Sequence, residues 1–425
     1  GDRGAAKRLS STMTQHRLIA MSGRDPHEEN RVSTPLELLF DLTFVVAVGI
    51  AASQFAHYLA EGHFATALGG FAFAMFGIIW AWINYTWFAS AYDTDDWKFR
   101  LLTMVQMVGV VILALGLDDI FKSIDGGQVL DNRVAVSGYV VMRLALLSQW
   151  ARAAREDPAR RKTIRAYIIT LLVAQAIWIG LIFLDLPIGE TFAAMTVPFA
   201  IEMAGPFLAE SKGEGTPWHG HHIAERYGLF VIIALGEGVV GTVASLSAMV
   251  AEQGWSVDAA LVAGAGIGLT FGMWWSYFLM PSGTVLHQDR SRSFFWGYVH
   301  MVLFAAIAGT GAGLHAAGYY IENKSHIGPV ATLLSVAVPV GLFIVSKFVI
   351  YAHLSRSSVF THGAYIALAL AIIALAVGLA ALGVPMAYAL VVLMLAPVMV
   401  VVRYETSGHN TMAEDLARLK QRSLH

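Results

Sequence analysis

The chain is 425 residues long, 56% apolar and only 14% charged, with a mean hydropathy of +0.60. A soluble fold of this size cannot hide that much apolar surface in its core, so the composition excludes an ordinary water-soluble enzyme and points to a bilayer as solvent. Zero cysteines exclude disulfides, thiolate metal sites and cysteine nucleophiles, and a net charge of −2 identifies no partner, which leaves the positions of the charges to be read.

Residues 1–33 are polar, rich in Arg and Ser, and lack the short apolar core of a secretory signal; they read as a cytoplasmic, partly disordered arm. The first apolar segment, near 36–60, is opened by Thr34 as cap, Pro35 at the first helical position and Glu37 three residues after the cap, which together make a capping box. Further apolar segments lie near 64–91, 101–121, 132–152, 164–185, 190–210, 223–249, 257–280, 294–319, 328–354, 359–382 and 385–404. Most are long enough, at about 20 residues, to cross a hydrocarbon core of about 30 Å. The expected fold is an all-α polytopic membrane protein with about twelve transmembrane helices. Residues 405–425 form a cytoplasmic tail whose amphipathic stretch around Met412, Leu416 and Leu419 suits the membrane surface or a second subunit, so a homodimer stands among the expected partners.

Basic residues accumulate in short cytoplasmic loops. With the amino terminus inside, the inner segments hold Arg3, Lys7, Arg8, Arg17, Arg24 and Arg31, then Lys98 and Arg100, then the cluster from Arg152 to Arg165, and later Lys212, Arg226, Arg290, Arg292, Arg356, Arg403, Arg418, Lys420 and Arg422. The outer loops hold only Lys122, Arg133 and Lys324. Both termini are therefore expected in the cytoplasm.

Two six-helix copies are expected, over 34–211 and 212–404. Trp82-Ile-Asn-Tyr85 matches Trp274-Trp-Ser-Tyr277, Gln106-Met107 matches His300-Met301, and Arg143 with Arg152 is echoed by Lys347 with Arg356. Six is even, so the copies share one orientation and the repeat is parallel, one of the two plans of transporter folds.

The run Leu36-Glu-Leu-Leu-Phe-Asp-Leu-Thr-Phe-Val, together with Glu225-Arg-Tyr-Gly-Leu-Phe-Val-Ile-Ile-Ala-Leu-Gly-Glu237, resembles the bacterial low temperature requirement A family over almost the whole chain. The resemblance implies a polytopic bacterial inner-membrane protein linked by name to growth in the cold, and it implies no substrate. Over a few positions, and without its serine, Phe40-Asp-Leu-Thr-Phe is also similar to the Phe-Ser-Asp first helix of the two-repeat potassium/proton channels, a likeness of architecture.

Acids and bases inside apolar segments usually face a protein interior and mark functional sites. Glu37 and Asp41 lie one turn apart on one helix face, where they suit a proton- or cation-binding entry; a cap for Glu37 and a neighbouring Arg for Asp41 are the structural alternatives. Glu237, near mid-membrane between Gly236 and Gly238, is the main candidate for a carboxyl that takes and releases a proton. Arg143 and Lys347 each need a counter-charge, with Glu237, Glu202 and Asp41 as the available acids. Glu225, Arg226 and His300 complete the buried ionisable candidates. His219-Gly-His-His222 beside Glu225 invites a metal reading, but a helix start next to a histidine-bearing loop explains it better, so no metal and no cofactor is expected. Trp82, Tyr85, Trp274 and Tyr277 either line a ligand site or belong to an interfacial aromatic belt, the belt being favoured. Gly264, Gly268 and Gly272 recur at helical spacing as a close packing face.

The expected function is a transporter- or channel-like protein that moves an ion or small solute, coupled through buried carboxylates. The alternative is an intramembrane enzyme or sensor acting on lipid or isoprenoid substrates. Membrane lipids and a solute are the expected partners, and nucleic acid is not among them.

Overall fold

The structure, a computed structural model, describes residues 18–29, 31–127 and 129–423. The expectations placed on Arg3, Lys7, Arg8 and Arg17 lie outside the described residues. Among the described residues twelve helices are long and apolar enough to cross a membrane, and each expected segment falls on one of them. We number them as spans 1 to 12: Pro35–Ala60, Phe64–Tyr92, Trp97–Gly126, Arg133–Glu156, Arg161–Ile182, Ile188–Glu210, Gly220–Gln253, Val257–Gln288, Arg290–Ile321, Pro329–Ser355, Val359–Ala381 and Met386–Thr406. No strand occurs among the described residues; an isolated antiparallel bridge joins Val129 to Pro187.

By packing, the chain divides into one unit of Gly1–Thr43 with Ala81–Ile223 and another of Phe44–Trp80 with Ala224–His425. Spans 1 and 2 therefore contribute one end to each unit. This division differs from the expected one at 211/212, since each unit is built from two separate stretches of the chain.

In the first unit, span 1 opens with the capping box: the Thr34 N–H donates to Glu37 Oε2 at 2.8 Å, and the Glu37 N–H donates to Thr34 Oγ1 at 3.2 Å. Spans 3 and 4 meet at glycines. A Cβ on Gly138 would stand 2.4 Å from the Leu113 nitrogen, so only a residue without a side chain permits this approach. Asp96 caps span 3 by accepting from the Phe99 N–H at 2.9 Å, and it also receives Arg152 of span 4 at 2.6 and 3.1 Å and the Ile19 N–H at 3.2 Å. Burial alone would push the Asp96 carboxyl up, but the hydrogen bonds from Arg152, Phe99 and Ile19 outweigh it and hold the group at about 2. Its charge pins the residues around Ile19 to the ends of spans 3 and 4.

In the second unit, span 9 packs on span 10, and span 12 on spans 8 and 11. Of the expected glycine face, Gly268 and Gly272 lie against Met394 and Pro397 of span 12, whereas Gly264 faces open space. After a π-helical turn at Tyr404–Gly408, the helix His409–Ser423 folds back on span 10 of its own chain, where the Tyr351 hydroxyl donates to Asp415 at 2.9 Å. Asp415 gives this helix a fixed attachment within its own chain.

Candidate functional site

The first unit gathers charge at the start of span 1. Glu37 is fully buried; besides its capping bond it lies 3.1 Å from His222 Nε2 and 3.9 Å from Arg31. Arg31 stands equally close, at 3.8 Å, to Asp93, which follows directly on span 2. Burial pushes the Asp93 carboxyl up to about 7; the Glu37 charge adds to that push and Arg31 opposes it. One turn beyond Glu37, the buried Asp41 accepts from Trp82 Nε1 at 2.7 Å. Glu37 is thus both a cap and a member of a buried acid–base group.

The aromatic candidates separate. Trp82 and Tyr85 are fully buried, so they do not belong to a belt; Tyr85 packs on Phe40 with ring centroids 3.8 Å apart, and its hydroxyl lies 3.3 Å from that of Thr103. The reason is the acid on the facing helix: Asp41 needs a donor, and Trp82 supplies one without adding charge. In the second unit Trp274 is 39% exposed and stacks on Phe271, whereas Tyr277 points inward to His300. His300 turns Nδ1 to the Trp296 carbonyl at 2.7 Å, so this nitrogen carries the hydrogen and Nε2 accepts from Tyr277 at 3.1 Å. Both ring nitrogens of a neutral imidazole are thereby satisfied.

Arg143 and Glu202 meet at 2.8 Å, with 3% and 2% of their side chains exposed, and the guanidinium also lies 4.6 Å from the centre of the Tyr139 ring. This settles which acid compensates Arg143. Arg226 is fully buried, while Glu225, expected among the buried groups, stands on an exposed face because the helix rotates it away from its neighbour.

Glu237 and Lys347 differ from these. Glu237 lies midway along the 34-residue helix Gly220–Gln253 and is 8% exposed. Its backbone packs so closely on span 9 that a Cβ on Gly311 would stand 2.3 Å from its carbonyl carbon, and a Cβ on Gly49 would stand 3.3 Å from Oε1. Among the described residues no ion pair or hydrogen bond holds its carboxyl. Lys347, also 8% exposed, corrects the expectation of a counter-charge: its ammonium lies 5.0 Å from the centre of the Phe348 ring, and no carboxylate pairs with it among the described residues.

Comparison with known proteins fits this architecture. The profile of the bacterial low temperature requirement A protein (LtrA) matches residues 32–397, which takes in nearly every span and both acidic runs. The chain belongs to the LtrA family. A curated relative, the uncharacterized protein RA0937 of Rhizobium meliloti (strain 1021), is 31% identical over 218 residues, 50% of this chain and 51% of the relative, so the chain spans about half the length of that relative. No solved structure matches. Membership of LtrA covers Glu37, Asp41, Glu237 and Lys347 alike. Sequence reasoning missed Arg31, Asp93 and Asp96, which read as ordinary loop charges; the signal was their position within a few residues of span ends, where a helix cap or a buried pair would use them.

Proposed function

We propose that the protein moves a cation or small solute across a membrane, with the Glu237 carboxyl as the group that takes up and releases the coupled proton or cation. One observation carries the reading: a mid-span carboxyl, nine-tenths buried and backed by glycines, holds no ion pair among the described residues. An ionised carboxylate there costs several kcal/mol, and a proton or a bound cation supplies the missing compensation. The Arg143–Glu202 pair is the contrast, a buried acid tied directly to a base. The small loops between spans and the short sequence matches between the two halves, read as a parallel repeat, support a carrier or channel plan, in a bacterial inner membrane with both termini in the cytoplasm.

The test is flux into proteoliposomes under imposed proton and potassium gradients, for the wild type, Glu237→Gln and Asp41→Asn. Wild-type flux that falls to background in folded Glu237→Gln is the expected result. Absence of flux under every gradient, or equal flux in the wild type and Glu237→Gln, would overturn the proposal.

A further inference from the structure

The second unit also holds a cleft of about 240 Å³, walled by the ends of spans 10 and 12, the turn Val359–His362 and the start of the tail helix. We propose that the cleft binds a phosphate-class oxyanion through Lys347 and Arg403, a site independent of the reading of Glu237.

Three observations carry the proposal. First, Lys347 lines the cleft while nine-tenths buried and without a paired carboxylate among the described residues. A buried ammonium in that state lacks the compensation such groups normally have, and an anion in the cleft supplies it. Second, Arg403 lines the same cleft with Nη1 buried and without a hydrogen-bond partner, and its guanidinium lies 4.6 Å from the centre of the Tyr365 ring. The contact with the ring holds the guanidinium at the cleft, where an arginine fork suits the two-point contact it makes with phosphate. Third, the polar residues that line the cleft beside the two cations include no carboxylate. Thr361, His362, Tyr404 and Thr411 line the cleft, and the neighbouring acid Asp415 is already engaged by the Tyr351 hydroxyl and by Arg418. A pocket with two cations, several hydroxyls and no uncommitted carboxylate among its lining residues recognises an oxyanion rather than a metal ion.

The phosphate can belong to a lipid headgroup or to a free ion, and the same protein distinguishes them. Delipidated full-length protein in detergent would be titrated separately with phosphatidic acid and with potassium phosphate, using diacylglycerol and potassium chloride as controls, and binding read from tryptophan fluorescence. We expect saturable binding in at least one series, weakened at least tenfold in Lys347→Met or Arg403→Gln. Binding of phosphatidic acid alone identifies a lipid site, and binding of both ligands identifies a general phosphate site. Arg403→Gln, a change at a half-buried position, serves if Lys347→Met fails to elute as folded protein. No binding in either series, or wild-type binding in both variants, would overturn the proposal.

Discussion

Arg143 and Glu202 give the sharpest test of how this chain tolerates charge in its spans. At 2.8 Å and nearly complete burial, their attraction at an effective dielectric of about 20 is about 6 kcal/mol, and withdrawing both ions from water consumes most of it. The pair as a whole should therefore add little stability, while each partner alone is expensive. Arg143→Met and Glu202→Leu should each destabilise by about 3–5 kcal/mol, because each leaves an uncompensated ion, whereas the double variant should return to within about 2 kcal/mol of the wild type. The Tyr139 ring retains its hold on Arg143 in Glu202→Leu, which places that variant toward the lower end of the range. Unfolding of the purified protein in mixed micelles, followed by tryptophan fluorescence, gives all three values and the coupling energy. A coupling below about 1 kcal/mol, the scale of ordinary polar contacts between membrane helices, would refute the claim that the two side chains neutralise each other.

Asp93 predicts a pH dependence. Its folded-state value of about 7 lies above the ordinary 3.8, so the folded protein holds this proton more tightly than the unfolded chain does. The resulting stability is complete below pH 3.8 and is lost as pH rises toward 7. Between pH 5 and pH 8 the loss is about 3 kcal/mol, and Asp93→Asn should abolish that slope in unfolding measurements across the range; an unchanged slope would refute the assignment. Close packing of spans 7 and 9 predicts that Gly311→Ala, whose Cβ would stand 2.3 Å from the Glu237 carbonyl carbon, costs about 1–3 kcal/mol. Gly264→Ala, which meets open space, should instead be neutral or stabilising by up to about 1 kcal/mol through helix propensity, and equal melting shifts for the two would contradict the packing described.

The spans were legible because length and hydropathy suffice to define them, and the capping box at Thr34 and Glu37 was legible because its two hydrogen bonds are local. Charge pairing was not, since a sequence counts ions without giving distances. It offered Arg143 three acids, and only the fold shows Glu202 opposite it. Trp82 resembled a belt residue for the same reason: nothing local reveals that Asp41 waits on the neighbouring helix. Arg31 and Asp93 escaped notice because they flank the spans, where charge is common, yet the fold buries both. The tail helix was readable, but the attachment of Asp415 to span 10 was not, because an amphipathic helix specifies a face and leaves its partner open.

What separates Glu237 from Glu202 is therefore a matter of energy that one variant each can expose. A carboxylate retained for structure stabilises the fold through its partner, so Glu202→Leu must destabilise. A carboxylate retained for exchange with a proton or cation has no such partner; exchanging it for an amide removes an ionisable group from a costly environment and breaks no ion pair. Glu237→Gln should then melt within about 1 kcal/mol of the wild type, or above it, while flux falls to background. The two readouts must diverge for Glu237, because stability reports the ground-state fold and flux reports occupancy of the carboxyl. If Glu237→Gln destabilises as strongly as Glu202→Leu, the carboxyl has a structural partner and the proton-exchange reading fails, however small the residual flux.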